Sequence, residues 1–281
     1  VPRIKRFLTD LKHEGMAPTS IMFFKDVGHS QEGAQEVSKL LDGGFFSGPK
    51  PQRLMQRLLT LANLKADSVV LDFFSGSAST AHAVMSKNAE DGGHRKFIMV
   101  QLPEECDEQS EAYKAGYKNI CEIGKERIRR AGDKIKSESP LTTQDLDIGF
   151  RVLKLDDTNM KDVYYAPDDY DQGMLAALES NIKEDRTDLD LLFGCLLEWG
   201  LPLSMPYTSE EISGCTVHTY NDGDLIACFD ENIPDEVVKT IAKRQPLRAV
   251  FRDSSFNGSP AKINVTEVFK LLAPDTRVKV I

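Results

Sequence analysis

Val69-Val70-Leu71-Asp72-Phe73-Phe74-Ser75-Gly76-Ser77-Ala78-Ser79-Thr80 carries the strongest structural signal in this 281-residue chain. An apolar run ends in an acid and two aromatics, turns through small residues, and enters Ala81-His82-Ala83-Val84-Met85. That order predicts a buried strand over 68–74, a tight loop, and a helix over 78–88. A strand, loop and helix joined this way bring backbone N–H groups against a nucleotide-like ligand. An acid at the strand's end suits a ligand amine or hydroxyl.

Downstream, the Gly92-Gly93 turn leads to a second apolar strand, Phe97-Ile98-Met99-Val100, which ends at Gln101-Leu102-Pro103-Glu104. A long helix follows over about 116–137, with Ile120, Ile123, Ile128 and Ile135 among basic residues. This β-α-β succession predicts a parallel sheet with right-handed crossovers. Upstream, a short strand is expected over Ser20–Phe24 and a helix over 30–41, stopped by Gly43-Gly44. Ser47-Gly48-Pro49-Lys50-Pro51 then feeds another helix, with Pro51 suited to its start.

After Pro140 the pattern changes. Gly149–Leu155 reads as a strand, 157–171 as an acidic Tyr-bearing connection, and 172–181 and 187–199 as helices. Val217–Tyr220 and Leu225–Phe229 flank Asn221-Asp222-Gly223-Asp224, a hairpin signal. A helix over 234–244, a strand over 247–252, a helix over 264–272 and a strand over 276–281 complete a second α/β unit. The fold class expected is therefore α/β, with domains at 1–147 and 148–281.

Hydrophobic content of 41% and charged content of 28% are those of a globular protein. No apolar run approaches the ~20 residues that span a bilayer, so no membrane association is expected. Five scattered cysteines without a C-x-x-C pair make a structural metal or disulfide framework an unexpected feature and fit a reducing cytoplasm. Residues 1–60 carry nine Lys/Arg against six Asp/Glu, residues 61–138 twelve against thirteen, and residues 139–281 fourteen against twenty-five. The acidic C-terminal half argues against nucleic-acid binding by the whole surface, because phosphate contact needs local cationic excess. A basic face in the N-terminal half stays open.

The loop leaves three ligand classes. A dinucleotide fingerprint wants G-x-G-x-x-G, and only Gly76 is present. No Gly-Lys-Ser/Thr triplet of a phosphate loop exists in the chain. The third class is S-adenosylmethionine, whose methyltransferase loops follow the first strand with acid, aromatic and glycine in this register. Here Asp72–Val84 resembles the cofactor motif of amino-methylating DNA methyltransferases, in the form found in the modification subunits of type III restriction–modification systems. Asn88–Gly93, Arg95–Glu104, Asp26–Glu32, Pro49-Lys50-Pro51, Asn181–Asp190 and Ala249–Ser254 resemble the same family, so the similarity covers essentially the whole chain.

The resemblance implies a Rossmann-like S-adenosylmethionine-dependent methyltransferase fold, incomplete here, plus a smaller C-terminal α/β domain. It implies that Lys50 and Pro51 close over the methionine end of the cofactor and that Asp72 faces its amino group. Ser75, Gly76, Ser77, Ala78, Ser79 and Thr80 would wrap its methionine and adenosine parts, and Gln101 and Leu102 would sit near ribose and adenine. Of Phe73 and Phe74, one is expected in the core and the other on the ligand. Ala78 stands where the family usually has glycine, which is tolerated at little cost only with a negative φ. Gln101 replaces the usual ribose-binding acid.

The family's catalytic motif, Asp-Pro-Pro-Tyr, has no counterpart, because the sequence contains no Pro-Pro pair. The nearest imitation is Ser204-Met205-Pro206-Tyr207. The expectation is the C-terminal part of a longer adenine-N6 enzyme, with no catalytic residue in this chain. Implied partners are DNA through the complete enzyme, a restriction subunit, and a second copy as a homodimer. The alternative is a catalytically inactive assembly or dimerisation module. Among single residues, His82 reads as packing or cap, His29 as turn or ligand, Lys125–Lys136 as a solvated face, and Trp199 as core or interface.

Overall fold

Two parallel strands organise the first of two units, Val1–Phe150 and Arg151–Ile281. The structure is a computed structural model, and it describes residues 18–161, 181–256 and 258–281. Helices α1 (Phe24–Val27), α2 (Ser30–Leu41) and α3 (Gln52–Leu61) precede β1 (Val69–Phe73). Helix α4 (Ser79–Asp91) then crosses to β2 (Lys96–Val100), followed by α5 (Glu111–Lys114) and α6 (Ile120–Glu138). Register runs from Val69 opposite Lys96 to Phe73 opposite Val100, parallel as a β-α-β unit requires.

Alternation along these strands sends alternate side chains to opposite faces. Val70 and Phe97 pack against Leu59 of α3 and Ala83 and Val84 of α4. Phe97 and Met99 also meet Ala81 and Met85 of α4 and Ile128, Ala131 and Ile135 of α6. The opposite face carries Val69, Leu71, Phe73, Ile98 and Val100, all exposed, with Leu71 at 63%. A parallel sheet is ordinarily covered on both faces, so this bare side is the unit's outstanding anomaly.

Three expectations in the first unit need correction. Residues 20–24 form no strand; Phe24 instead starts the single helical turn α1, and Ile21, Met22 and Phe23 are exposed. The sheet here pairs only β1 with β2, which leaves those backbone groups no ladder to join. The long helix begins at Ile120, not 116, because Asn119 accepts the Glu122 N–H and caps it. Gly149–Leu155 is also irregular: Ile148 and Phe150 pack on the α6 cluster, while Arg151 donates to the carbonyls of Leu203 and Met205 in its own unit.

In the second unit, α7 (Asp188–Glu198) is followed by β3 (Tyr207–Ile212), β4 (Cys215–Tyr220) and β5 (Leu225–Cys228). Then come α8 (Asp235–Lys243), β6 (Arg248–Phe251), α9 (Gly258–Leu272) and β7 (Arg277–Val280). The sheet order is β3-β4-β5-β6-β7, antiparallel to β5 and parallel from there. Val217, Ile226, Cys228 and Phe251 face α8 and α9, while Tyr220, Leu225, Ala227 and Val250 face α7. Burial on both faces matches the continuous apolar reading of β5 and β6. Strand β3 escapes a sequence reading because Thr208–Glu211 is an exposed polar edge. The expected helix over 172–181 and most of the 157–171 connection lie outside the described residues, apart from Asn181.

Candidate functional site

The Ser75–Thr80 loop leaves β1 at its carboxyl end and is held by three elements. Ser75 N–H donates to the Val100 carbonyl at 3.0 Å, prolonging the ladder by one residue. Gly76 N–H donates to Gln101 Oε1 at 2.7 Å, and Ala78 N–H closes a turn on the Ser75 carbonyl. From below, Arg127 of α6 donates to Ser77 Oγ at 2.8 Å and Ser79 Oγ at 2.7 Å. Ser79 Oγ in turn donates to the Lys50 carbonyl at 3.1 Å. One guanidinium thus ties α6, the loop and the Pro49–Pro51 segment into a single network.

Glycines permit the close approaches. A Cβ on Gly33 of α2 would lie 2.2 Å from the Pro49 carbonyl oxygen, so α2 packs directly on that backbone. A Cβ on Gly124 of α6 would meet the Gly76 carbonyl oxygen at 3.3 Å. Residues 124 and 127 lie on one face of the helix, the first admitting the loop and the second binding it. Glu36 accepts the Gln52 N–H at 2.8 Å and so fixes the entry of α3 after Pro51.

The loop turns through left-handed backbone at Gly76 (φ 52°) and Ala78 (φ 59°). The sequence condition for a cheap alanine, negative φ, is therefore not met. Ala78 is the N-cap of α4 and offers no side-chain acceptor. Among the described residues, the N–H groups of Ser77, Ser79, Thr80 and Ala81 have no acceptor. The amino end of α4 is thus an uncapped row of donors.

Asp72, at the end of β1, accepts a short hydrogen bond from Thr80 Oγ1 through Oδ2, and its Oδ1 has no donor among the described residues. Asp72 and Thr80 are the only polar side chains lining an open groove of about 340 Å³ beside Met55, Leu58, Leu64 and Leu71. The other singled-out residues do not line it. Lys50 and Leu102 are exposed, and Pro51 is buried. Phe73 and Phe74 stack on each other at 4.6 Å and are 65% and 57% exposed, so neither is core. Gln101 Oε1 accepts the Gly76 N–H, and its amide N–H donates to the Leu102 carbonyl.

Two residues that sequence reading undervalued matter here. Arg127 falls within the stretch read as a solvated face, yet it is 1% exposed. Its neighbours do fit that reading, with Lys125 on Glu122 and Arg130 on Glu126 and Asp42. Burial lowers the Arg127 guanidinium to about 10, with the Glu36 carboxylate opposing the shift. His82 lies beside it, driven down to about 3 by burial and by the Arg127 and Lys134 charges, so it is neutral. The only signal for Arg127 was its i, i+4 position after Ile123, on the apolar stripe.

Elsewhere the structure resolves readings left open. His29 caps α2 through Nδ1, which accepts the Glu32 N–H at 3.1 Å. Tyr207 of the Ser204–Tyr207 imitation opens β3 beneath the Arg151 guanidinium and serves packing. Trp199 is half-buried under Arg248 and Lys279. Cys215, Cys228 and Asp230 gather within 4.8 Å, a grouping that spacing does not announce. Burial pushes the Cys228 thiol up to about 12, and the Thr216 N–H holds Asp230, so the trio packs as neutral thiols beside an anchored carboxylate.

Residues 10–129 match the DNA methylase family. Over 139 residues, half of this chain, the sequence is 40% identical to the type III restriction-modification enzyme StyLTI Mod subunit of Salmonella typhimurium. It is 29% identical over 86% of its length to the EcoPI Mod subunit of Escherichia phage P1. It is 29% identical over 81% of its length to the EcoP15I Mod subunit of Escherichia coli. Over most of its length the chain is thus similar to modification subunits of type III restriction-modification enzymes. The matched regions span 21%, 37% and 34% of these three Mod subunits, so this Mod-related chain represents a minor part of their length. The family match includes every residue of the Lys50–Ser79–Arg127 network.

Proposed function

We propose that this chain is the cofactor-binding and C-terminal portion of a site-specific adenine-N6 DNA methyltransferase of a type III restriction–modification system. The observation that supports it best is the Ser75–Thr80 loop, fixed from three sides while four backbone N–H groups stay free beside a half-engaged carboxylate. That donor set fits S-adenosylmethionine, which carries both an amine for Asp72 and a carboxylate for the amino end of α4. Ser75 to Thr80 wrap its methionine and adenosine parts, and Lys50 and Pro51 close the methionine end. Gln101 and Leu102 border the ribose and adenine, and the exposed Phe73 and Phe74 rim the site. The bound cofactor supplies an electrophilic methyl group.

In this reading the two-stranded sheet is part of a larger Rossmann-like sheet. Its bare face, Val69, Leu71, Phe73, Ile98 and Val100, is covered by the additional length that the Mod subunits possess. An Asp-Pro-Pro-Tyr motif in that length would hold the flipped adenine. DNA, a restriction subunit and a second copy are then partners of the complete cytoplasmic enzyme. Cross-linking radiolabelled S-adenosylmethionine to the purified chain by ultraviolet light tests the assignment. Label recovered in peptides spanning 50–51, 72–80 or 101–102 is expected; label confined to 151–281 contradicts it.

A second reading follows from the absence of Asp-Pro-Pro-Tyr from the sequence: on its own the chain is a catalytically silent assembly module. Methyl transfer to DNA by the purified chain alone would exclude it.

A further inference from the structure

Arg127 is a buried cation without a direct ion pair among the described residues. Its two hydrogen bonds go to serine hydroxyls, and no carboxylate lies within ion-pair distance among the described residues. Its Nε is buried without an acceptor. An unpaired charge at 1% exposure is expensive, and proteins retain one mainly where something compensates it. The neighbouring ring does not, because His82 is neutral and its Nδ1 is also buried without a partner.

The second observation is the place this charge occupies. Both serines it grips flank Ala78, the N-cap of the 13-residue helix α4. That helix end has no side-chain cap and four N–H groups without acceptors among the described residues. Helix dipole, free donors and a buried guanidinium therefore add their potentials at one point. All three favour an anion; the Glu36 carboxylate offsets the Arg127 charge only in part and accepts the Gln52 N–H instead. Asp72, the nearest acid along the chain, already uses Oδ2 on Thr80.

We infer that Arg127 is a positioning residue that makes the amino end of α4 selective for a carboxylate-bearing ligand. It acts through Ser77 and Ser79, orienting the loop so that its free N–H groups converge on the anionic group. The inference rests on the S-adenosylmethionine reading, in which the α-carboxylate is the ligand's only anionic group. Lysine would keep the charge but lose the planar guanidinium that aims one nitrogen, Nη1, at both hydroxyls.

The test compares two ligands that share the thioadenosine portion but differ in the amino-acid end. S-adenosylhomocysteine carries the carboxylate, and 5′-methylthioadenosine lacks it along with the amine. Calorimetric affinities are measured for the full chain and for R127Q and R127K, with Asp72→Asn as the control for the amine. R127Q is expected to weaken S-adenosylhomocysteine by about 10- to 100-fold, and 5′-methylthioadenosine by less than about threefold. Equal losses for both ligands would overturn the inference and reduce Arg127 to a structural tie. If R127Q does not fold, R127K decides: the preference for the carboxylate-bearing ligand should persist while both affinities fall. Loss of that preference in R127K would overturn the role of the charge. Binding of neither ligand by the unaltered chain would instead defeat the cofactor reading on which the inference stands.

Discussion

Ala78 and His82 show how much conformational and electrostatic tension single residues carry beneath this loop. A non-glycine residue in the left-handed region costs about 1 kcal/mol, and Ala78 sits there at φ 59°. Ala78→Gly is expected to raise stability by up to about 1 kcal/mol, partly offset by the freer unfolded chain. Thermal denaturation measures it, and a lower melting temperature would show that the methyl's packing outweighs the strain. His82 makes a pH prediction. Its folded pKa, about 3, lies far below the ordinary value of 6.5, so only the unfolded chain takes up the proton between those values. Its contribution is complete above pH 6.5 and is lost progressively as pH falls toward 3. Urea denaturation of His82→Leu should show a flatter acid limb in that window than the unaltered chain.

At the scale of elements, what was legible followed the strength of local signals. Strands β1 and β2, helix α4 between them and the β4–β5 hairpin carry apolar periodicity and turn chemistry of their own, and they stand where the sequence put them. Failures came where pairing partners decide the outcome. Ile21–Phe24 has strand-like composition but no ladder to join, and β3 has a ladder but no strand-like composition. The candidate site divides the same way. The 72–80 motif was readable as a unit, whereas Arg127 was hidden among charges because only the fold shows that its position faces the loop. Packing between elements supplies the next prediction. Gly33→Ala would drive a Cβ into the Pro49 carbonyl, so α2 and the Pro49–Pro51 segment must part. A stability loss of about 1–3 kcal/mol is expected, with weaker S-adenosylmethionine binding if the proposed function holds. Unchanged melting and binding would show that the segment moves freely.

For the molecule as a whole, the contrast between its two units is the main lesson. The second unit buries both faces of a five-stranded sheet, with α7 on one side and α8 and α9 on the other. The first unit buries one face of two strands and exposes five large apolar side chains on the other. Exposed contiguous apolar surface of this kind marks an interaction face. Leu71→Lys together with Ile98→Glu should reduce self-association of the isolated chain, read by sedimentation, without lowering its melting temperature. A large loss of stability would mean that this face is already covered within the chain.

The proposed function requires that Asp72 and the Ser75–Thr80 loop bind S-adenosylmethionine. Isothermal titration of S-adenosylmethionine into the purified chain and its Asp72→Ala variant tests this most directly. Saturable one-site binding is predicted, weakened at least about tenfold by the substitution, as expected for a lost charge-assisted hydrogen bond to the ligand amine. Binding of equal strength in both proteins, or no binding to the unaltered chain, would contradict the claim.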